Sequence, residues 1–358
     1  MLTPVVLAAL VVTSLRPIRE IPVVPQTDVP LISYARDAEY EYLGMPDGLY
    51  RSPRVATMPL ERIAFAGETV NAVAVDGETL YVSRGLPHFA LWPEHTLLRS
   101  DDHGVTFQPA DEGLRACNAP SECGFLIPRQ LSFAPERLFA GAGGNVLVSG
   151  DGGATFKVLV GVTDEGKPAP QTCSTTFERI GERMLTGGEC PLDFGYLAVG
   201  TLDFDLLGWS SEPERLTSPD MENRNVQFIR DFGDGVVFAG IEGALMKSTD
   251  NGTTFRYVLH YDISDTEKYP YIGQMASNGA VLIAGGFDKA NQRGWLAYST
   301  DEGESWTDIS HLVADSEIVS LLAKDADGRL FVFTYGDGRL RISEVVTGTV
   351  PKKRSVRH

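Results

Sequence analysis

Residues able to do chemistry are concentrated in the polar stretches that separate short apolar runs along this 358-residue chain. The densest is residues 84–95, where His88, Trp92 and His95 place two imidazoles and an indole in one loop, a set that can stack on a sugar or grip a partner's side chain. The same set also fits an ordinary small core beneath a loop. Arg84, Arg129 and Arg293 carry guanidinium groups able to fork onto a carboxylate, while the plainer reading of Arg129 is an anchor between neighbouring structural units. Glu189 and Asp193 flank Cys190 with Tyr196 close by, and offer carboxylates, although an acidic chain contains many such pairs. Tyr271, Tyr335 and Glu242 complete the candidates. No nucleophilic triad, phosphate-cradling loop or dinucleotide fingerprint is present, and no cofactor is implied.

The four cysteines, Cys117, Cys123, Cys173 and Cys190, form no Cys-x-x-Cys pair and have no histidine at zinc-ligand spacing, so no metal site is read from them. Their even number suits two disulfides in an oxidising compartment. Cys173 and Cys190 bracket a run that reads as a hairpin turning near Gly181, and Cys117 and Cys123 would close a small loop; buried free thiols are the alternative. Residues 2–15, LTPVVLAALVVTSL, are uncharged, of signal-peptide length and too short for a membrane span. They point to a secreted or periplasmic protein, although no Lys or Arg precedes them and no small-x-small site follows before Arg16 and Pro17. Prolines 17, 22, 25 and 30 make the stretch up to residue 30 an extended linker. With 31 basic against 48 acidic residues, net −17, the surface repels phosphate backbones and anionic membranes, which argues against a nucleic-acid partner. The basic tail of Lys352, Lys353, Arg354 and Arg357 reads as a solvated terminus.

The elements that must position the candidates come from an internal repeat. Four octets match: SDDHGVTF at 100–107, SGDGGATF at 149–156, STDNGTTF at 248–255 and STDEGESW at 299–306. Their serines, Ser100, Ser149, Ser248 and Ser299, are 49, 99 and 51 residues apart, so a degenerate copy is expected inside the doubled interval. Each octet follows strand-like alternation broken by Asp-Gly, Asn-Gly or Gly-Asp turns, and no stretch has a helical period. Counting first strands near Val70, Arg129, Thr175, Val226, Ile272 and Ile318 gives six units. One such unit cannot bury both its faces, so the units stack radially and close into a ring over residues 31–346. Residues 33–60 contain EYEYLG, which either supplies the closing strand of the last unit or forms an irregular seventh.

Within each octet the serine and aspartate (Asp102, Asp151, Asp250, Asp301) hold a tight turn through backbone NH groups. Gly104, Gly153, Gly252 and Gly303 supply positive φ, and Phe107, Phe156, Phe255 and Trp306 pack between neighbouring units. The aspartates lack the downstream bidentate Glu of a calcium loop. Asn251-Gly252-Thr253 also fits a glycosylation acceptor triplet, but lies inside an octet, where the structural role explains it.

At these octets the sequence resembles the Asp-box, or BNR-repeat, superfamily of β-propellers, which includes sialidases, other glycan-acting enzymes, photosystem assembly factors and sorting-receptor ectodomains. The resemblance covers residues 70–346 and implies an all-β propeller with the octets on the edge away from the ligand face. A sialidase-like enzyme would need three arginines gripping a substrate carboxylate, a tyrosine nucleophile paired with a glutamate, and an aspartate as acid/base. Arg84, Arg129 and Arg293, with Tyr271 or Tyr335 and Asp193, are the residues available for those roles. The family's Phe/Tyr-Arg-Ile-Pro segment before the first octet is absent; Phe125-Leu126-Ile127-Pro128 has leucine where arginine belongs and follows that octet. The expectation is therefore a monomeric exported propeller that binds a protein or glycan on its loop face, with His88, Trp92, His95, Glu189 and Tyr196 as contact candidates; a sialidase-type glycoside hydrolase is the alternative.

Overall fold

The computed structural model describes residues 8–23, 32–53, 60–85, 94–115, 127–134, 137–142, 144–160, 174–190, 194–203, 208–216, 224–262 and 269–351. These form seven four-stranded antiparallel sheets, a seven-bladed β-propeller. Blades 2 to 7 begin at Val70–Asp76, Gln130–Ala134, Ser174–Ile180, Val226–Asp231, Pro270–Ser277 and Ile318–Lys324, the six units counted from the sequence. Blade 1 is the segment 33–64, which carries no octet. Its Glu41–Met45, from the EYEYLG string, is the second strand of that blade and not a closing strand.

Closure comes from elsewhere. Ala8–Pro22 pairs antiparallel with Arg339–Pro351 and forms the outer strand of blade 7. The propeller thus runs from Ala8 to Pro351, wider than the 31–346 expected, and takes in much of the stretch read as a signal-like run and linker. Pro17 and Pro22, two of the prolines that suggested a linker, are compatible with this position, because the outer strand is a sheet edge where a missing NH breaks no ladder bond.

The apolar core is divided by seam. Seven clusters of buried side chains each straddle two neighbouring blades, from Tyr42, Leu49, Val70 and Val82 between blades 1 and 2 to Leu43, Met45, Phe331 and Phe333 between blades 7 and 1. A single blade has an apolar side on each face and is stable only between two others, so burial itself drives ring closure.

All four octets form one turn, between the third and outer strands of blades 2, 3, 5 and 6. Ser100 Oγ accepts from Gly104 N at 2.8 Å and donates to Asp102 Oδ1 at 2.7 Å; Asp102 accepts from Thr106 N and Oγ1 at 2.8 and 2.6 Å. The bonds repeat at Ser149, Ser248 and Ser299. These bonds, led by that from Thr106 Oγ1, hold the half-buried Asp102 carboxyl down to about 2. Glycine has two reasons to be there: φ is positive, and a Cβ would stand 2.6 Å from Ile63 Cδ1 at Gly104 or 2.6 Å from Phe238 Cζ at Gly303. Each corner is therefore seated against the preceding blade or, at Gly153, against Ala110 at the end of it.

Candidate functional site

The octet corners and the first-to-second strand hairpins share one edge of the ring. Loops from second to third strand and links between blades share the other, the loop face, which carries the candidate residues.

In blade 2, Arg84 and His95 are brought together, Arg84 Nε donating to the His95 carbonyl at 3.1 Å. Arg84 is engaged by both Glu68 carboxylate oxygens at 2.8 and 2.7 Å and lies over the Phe65 ring. His95 Nδ1 is 2.9 Å from Asp111 Oδ1, and the buried Asp111 also accepts from Thr96 N at 2.8 Å. His88 and Trp92 lie outside the described residues.

A second group forms where blades 4, 5 and 6 meet. Arg224, 3% exposed, directs Nη2 to His260 Nε2 at 3.0 Å, reaches the Glu242 carbonyl at 3.5 Å and lies 5.7 Å from the Tyr257 ring centroid. Guanidinium can only donate, so His260 presents Nε2 as acceptor and carries its proton on Nδ1. Tyr269 and Tyr271 rings are 5.7 Å apart, and Tyr271 bridges backbone to backbone with Glu242. Burial pushes the Tyr269 phenol up, and the Glu242 charge adds to this. Trp295 Nε1 donates to Tyr261 OH at 3.1 Å alongside. Tyr196 is buried. Arg224 Nε is buried with no hydrogen-bond partner, and among the described residues Arg224 has no carboxylate partner.

The other candidates are dispersed. Arg129 is exposed just before the inner strand of blade 3, its NH bonded to the Gly141 carbonyl. Arg293, on blade 6, stands 3.8 Å from Asp315. Tyr335 is buried in blade 7, paired across the sheet with Ile318. Glu189 sits opposite Gly195 in blade 4, with its side chain outside the described set, as are Asp193, Cys117, Cys123 and Cys173; Cys190 ends its strand. The three candidate arginines thus stand on blades 2, 3 and 6, and Arg84 already has its carboxylate.

Sequence reading passed over Arg224, Tyr257, His260 and Tyr269, which belong to no motif, and a set of bulges. Inner strands of blades 2, 4, 5, 6 and 7 each skip one residue near the loop face: Asn71, Thr175, Gln227, Gly273 and Ser320. A bulge leaves its residue out of the ladder and re-aims it. Asn71 Oδ1 and Ser320 Oγ, with Ser33 Oγ and Asn225 Oδ1 at neighbouring strand starts, are buried with no hydrogen-bond partner among the described residues. Such atoms ordinarily bond water or ligand.

Fold and face together define a seven-bladed propeller with a polar, aromatic-rimmed loop face. No family model and no curated protein matches the chain. Its likeness is to solved structures: YCF48 from Cyanidioschyzon merolae at 16% identity and TM-score 0.60, covering 90% of this chain and 98% of that one. A structure described as YCF48 bound to D1 peptide aligns at 14% identity and TM-score 0.61, over 94% and 98%. The GH74 xyloglucanase from Xanthomonas campestris aligns at 16% and 0.59, over 94% of this chain and 54% of that one, so the chain spans about half of the xyloglucanase's length. At these identities the likeness is one of fold. No helix among the described residues is long and apolar enough to cross a membrane.

Proposed function

We propose that the chain is an Asp-box propeller that works as a binding module, taking a protein or glycan segment with an exposed carboxylate onto the loop face where blades 4, 5 and 6 meet. The carrying observation is Arg224: a guanidinium almost wholly withdrawn from water, held by Tyr257 and His260, with Nε unpartnered and no carboxylate partner among the described residues. A buried cation without its counter-charge is costly. A ligand carboxylate that replaces His260 as acceptor removes that cost, while Tyr257, Tyr261 and Tyr271 offer apolar faces and hydroxyls around it. Partnerless polar atoms at the inner-strand ends suit the neutral hydrogen-bonding groups of a sugar or peptide backbone. Two disulfides and a compartment outside the cytosol belong to the same proposal, supported by the cysteine spacing and the uncharged residues 2–15.

The test is array screening of acidic peptides and glycans against the parent, Arg224→Gln and Tyr271→Ala. Binding weakened by about tenfold or more in both variants, at nearly unchanged melting temperature, is expected. Hits indifferent to both changes, or turnover of a sialoside reporter, would replace this reading.

A further inference from the structure

We infer that Ala8–Pro22 remains in the working protein as the strand that closes the ring, so that any export of this chain leaves these residues attached. The segment pairs with Arg339–Pro351 along its whole length, with partners from Ala8↔Pro351 to Pro22↔Arg339 and two interruptions, after Val12 and Pro17. Thr13 Oγ1 donates to the Val346 carbonyl at 3.2 Å, and just beyond the strand Val23 N donates to the Gly338 carbonyl at 2.9 Å.

Side chains point the same way. Val12, 7% exposed, belongs to the core between blades 6 and 7 beside Tyr298, Val332 and Val345, with Leu10, Val11 and Leu15 packed on it. Ile18 and Ile21 pack on the core between blades 7 and 1. One strand thus contributes to both seams of the blade that joins the two ends of the repeat array. Arg16 pairs with Glu344, and Glu20 pairs with Arg339 and Arg341. Arg341 continues to Glu317, which is buried and accepts from Thr334 Oγ1 at 2.6 Å. Glu317 immediately precedes the inner strand of blade 7, so a chain of charges runs from the closing strand to the loop face. Removing residues 8–22 would leave Arg339–Pro351 as a bare edge, uncover the two seams and break that chain.

The strand geometry supplies a test that separates a structural strand from a removable leader. Ala8 and Pro351 are register partners, so a short turn can join them, as in any hairpin. In a circular permutant, residues 8–23 follow Pro351 through such a turn and the chain begins at residue 32. The segment is then internal and can serve only as a strand. The permutant is expected to melt with the full-length chain, whereas a chain trimmed to begin at residue 24 melts lower by roughly 10 °C or more. Val12→Asp, a single change in the intact chain, is expected to lower melting in the same direction, which covers the case in which the trimmed chain does not accumulate. Intact-mass analysis of protein recovered from the periplasm of an expressing bacterium, or from its cytosol if it is not exported, is expected to retain residues 8–22. A protein whose mass places its first residue after Pro22, or a trimmed chain that melts with the parent, overturns the inference.

Discussion

Lys247 Nζ of blade 5 donates to the Glu302 carbonyl at 2.7 Å and to Glu304 Oε1 at 2.8 Å, both within the octet of blade 6. The amine is buried, with the Phe238 ring nearby. Every octet has such a donor on the preceding blade, received by the carbonyl of its fourth residue: Arg51 for His103, Tyr81 for Gly152, Arg183 for Asn251 and Lys247 for Glu302. The octet is therefore half of an inter-blade latch as well as a turn.

Lys247→Met should lower stability by about 2 kcal/mol, because the Glu302 carbonyl loses a buried charged donor while the aliphatic volume is kept. Arg256, which also holds Glu304, is exposed, and Arg256→Met should cost under about 1 kcal/mol. Chemical denaturation of the two variants checks the ranking. Equal losses would mean that Glu304 and not the corner carbonyl dominates the latch.

Glycine at the fifth octet position can be tested with an internal control. Gly303 and Gly328 share nearly the same backbone, φ +83° and +80°, but a Cβ at Gly303 meets the Phe238 ring at 2.6 Å and at Gly328 meets nothing within 4 Å. Gly328→Ala should cost about 1 kcal/mol, the positive-φ penalty alone. Gly303→Ala should cost about 3 kcal/mol, since the blade seam must also shift. Similar losses would show that the corner is not seated on blade 5.

How far the sequence could lead is clear from particular residues. The octets were legible because side chain and backbone bond within eight residues, so the requirement is local and repeats in register. Blade 1 was nearly missed because it has no octet and, unlike blade 4, fills no interval between two octets. Residues 2–15 read as a signal-like run and the stretch up to residue 30 as a linker because the partners of Ala8–Pro22 lie more than three hundred positions away; nothing local distinguishes Val12 in a core with Val345 from Val12 in a signal peptide. Glu242 and Tyr271 stood among the candidates, but their grouping with Arg224 and His260 was illegible for the same reason: the four are gathered from separate parts of the chain around blades 5 and 6, and spacing alone does not reveal it.

The seam between blades 1 and 2 should respond to pH through Asp37 and His103. Asp37 Oδ1 accepts from Glu39 N and Tyr40 N; Oδ2 accepts from Tyr42 OH at 2.6 Å and faces His103 Nδ1 at 2.9 Å. Burial works to raise Asp37, but these bonds outweigh it and hold the carboxyl below its usual 3.8. The bond to Asp37 raises His103 above 6.5. The His103 contribution is complete below 6.5 and fades as pH rises through its raised value; that of Asp37 is complete above 3.8 and fades as pH falls through its lowered one. The seam is thus strongest between about pH 4 and 6.5. His103→Asn should flatten the alkaline limb of the melting-temperature profile by roughly 2 to 3 °C and move the acid limb only slightly, because Tyr42 OH and the Glu39 and Tyr40 NH groups still hold Asp37.

Glu178 gives a second pH dependence on the same alkaline side, separable by mutation. It lies on the inner strand of blade 4 facing Arg230 of blade 5, and desolvation pushes its carboxyl up to about 7 against the opposing pull of Arg230. A carboxyl raised in the folded state favours folding while protonated, and that advantage disappears as pH climbs from the ordinary 4.5 through 7. Stability should therefore decline by roughly 2 kcal/mol across that interval, a figure reduced for the solvent contact the side chain keeps. Glu178→Gln preserves the neutral shape and should abolish this decline while leaving the His103 limb above it intact. Denaturant titrations of the parent and both single variants at pH 4.5, 6 and 8 distinguish the two groups. A parent slope unchanged by Glu178→Gln would mean that Glu178 stays ionised beside Arg230 throughout, with the ion pair outweighing the loss of water.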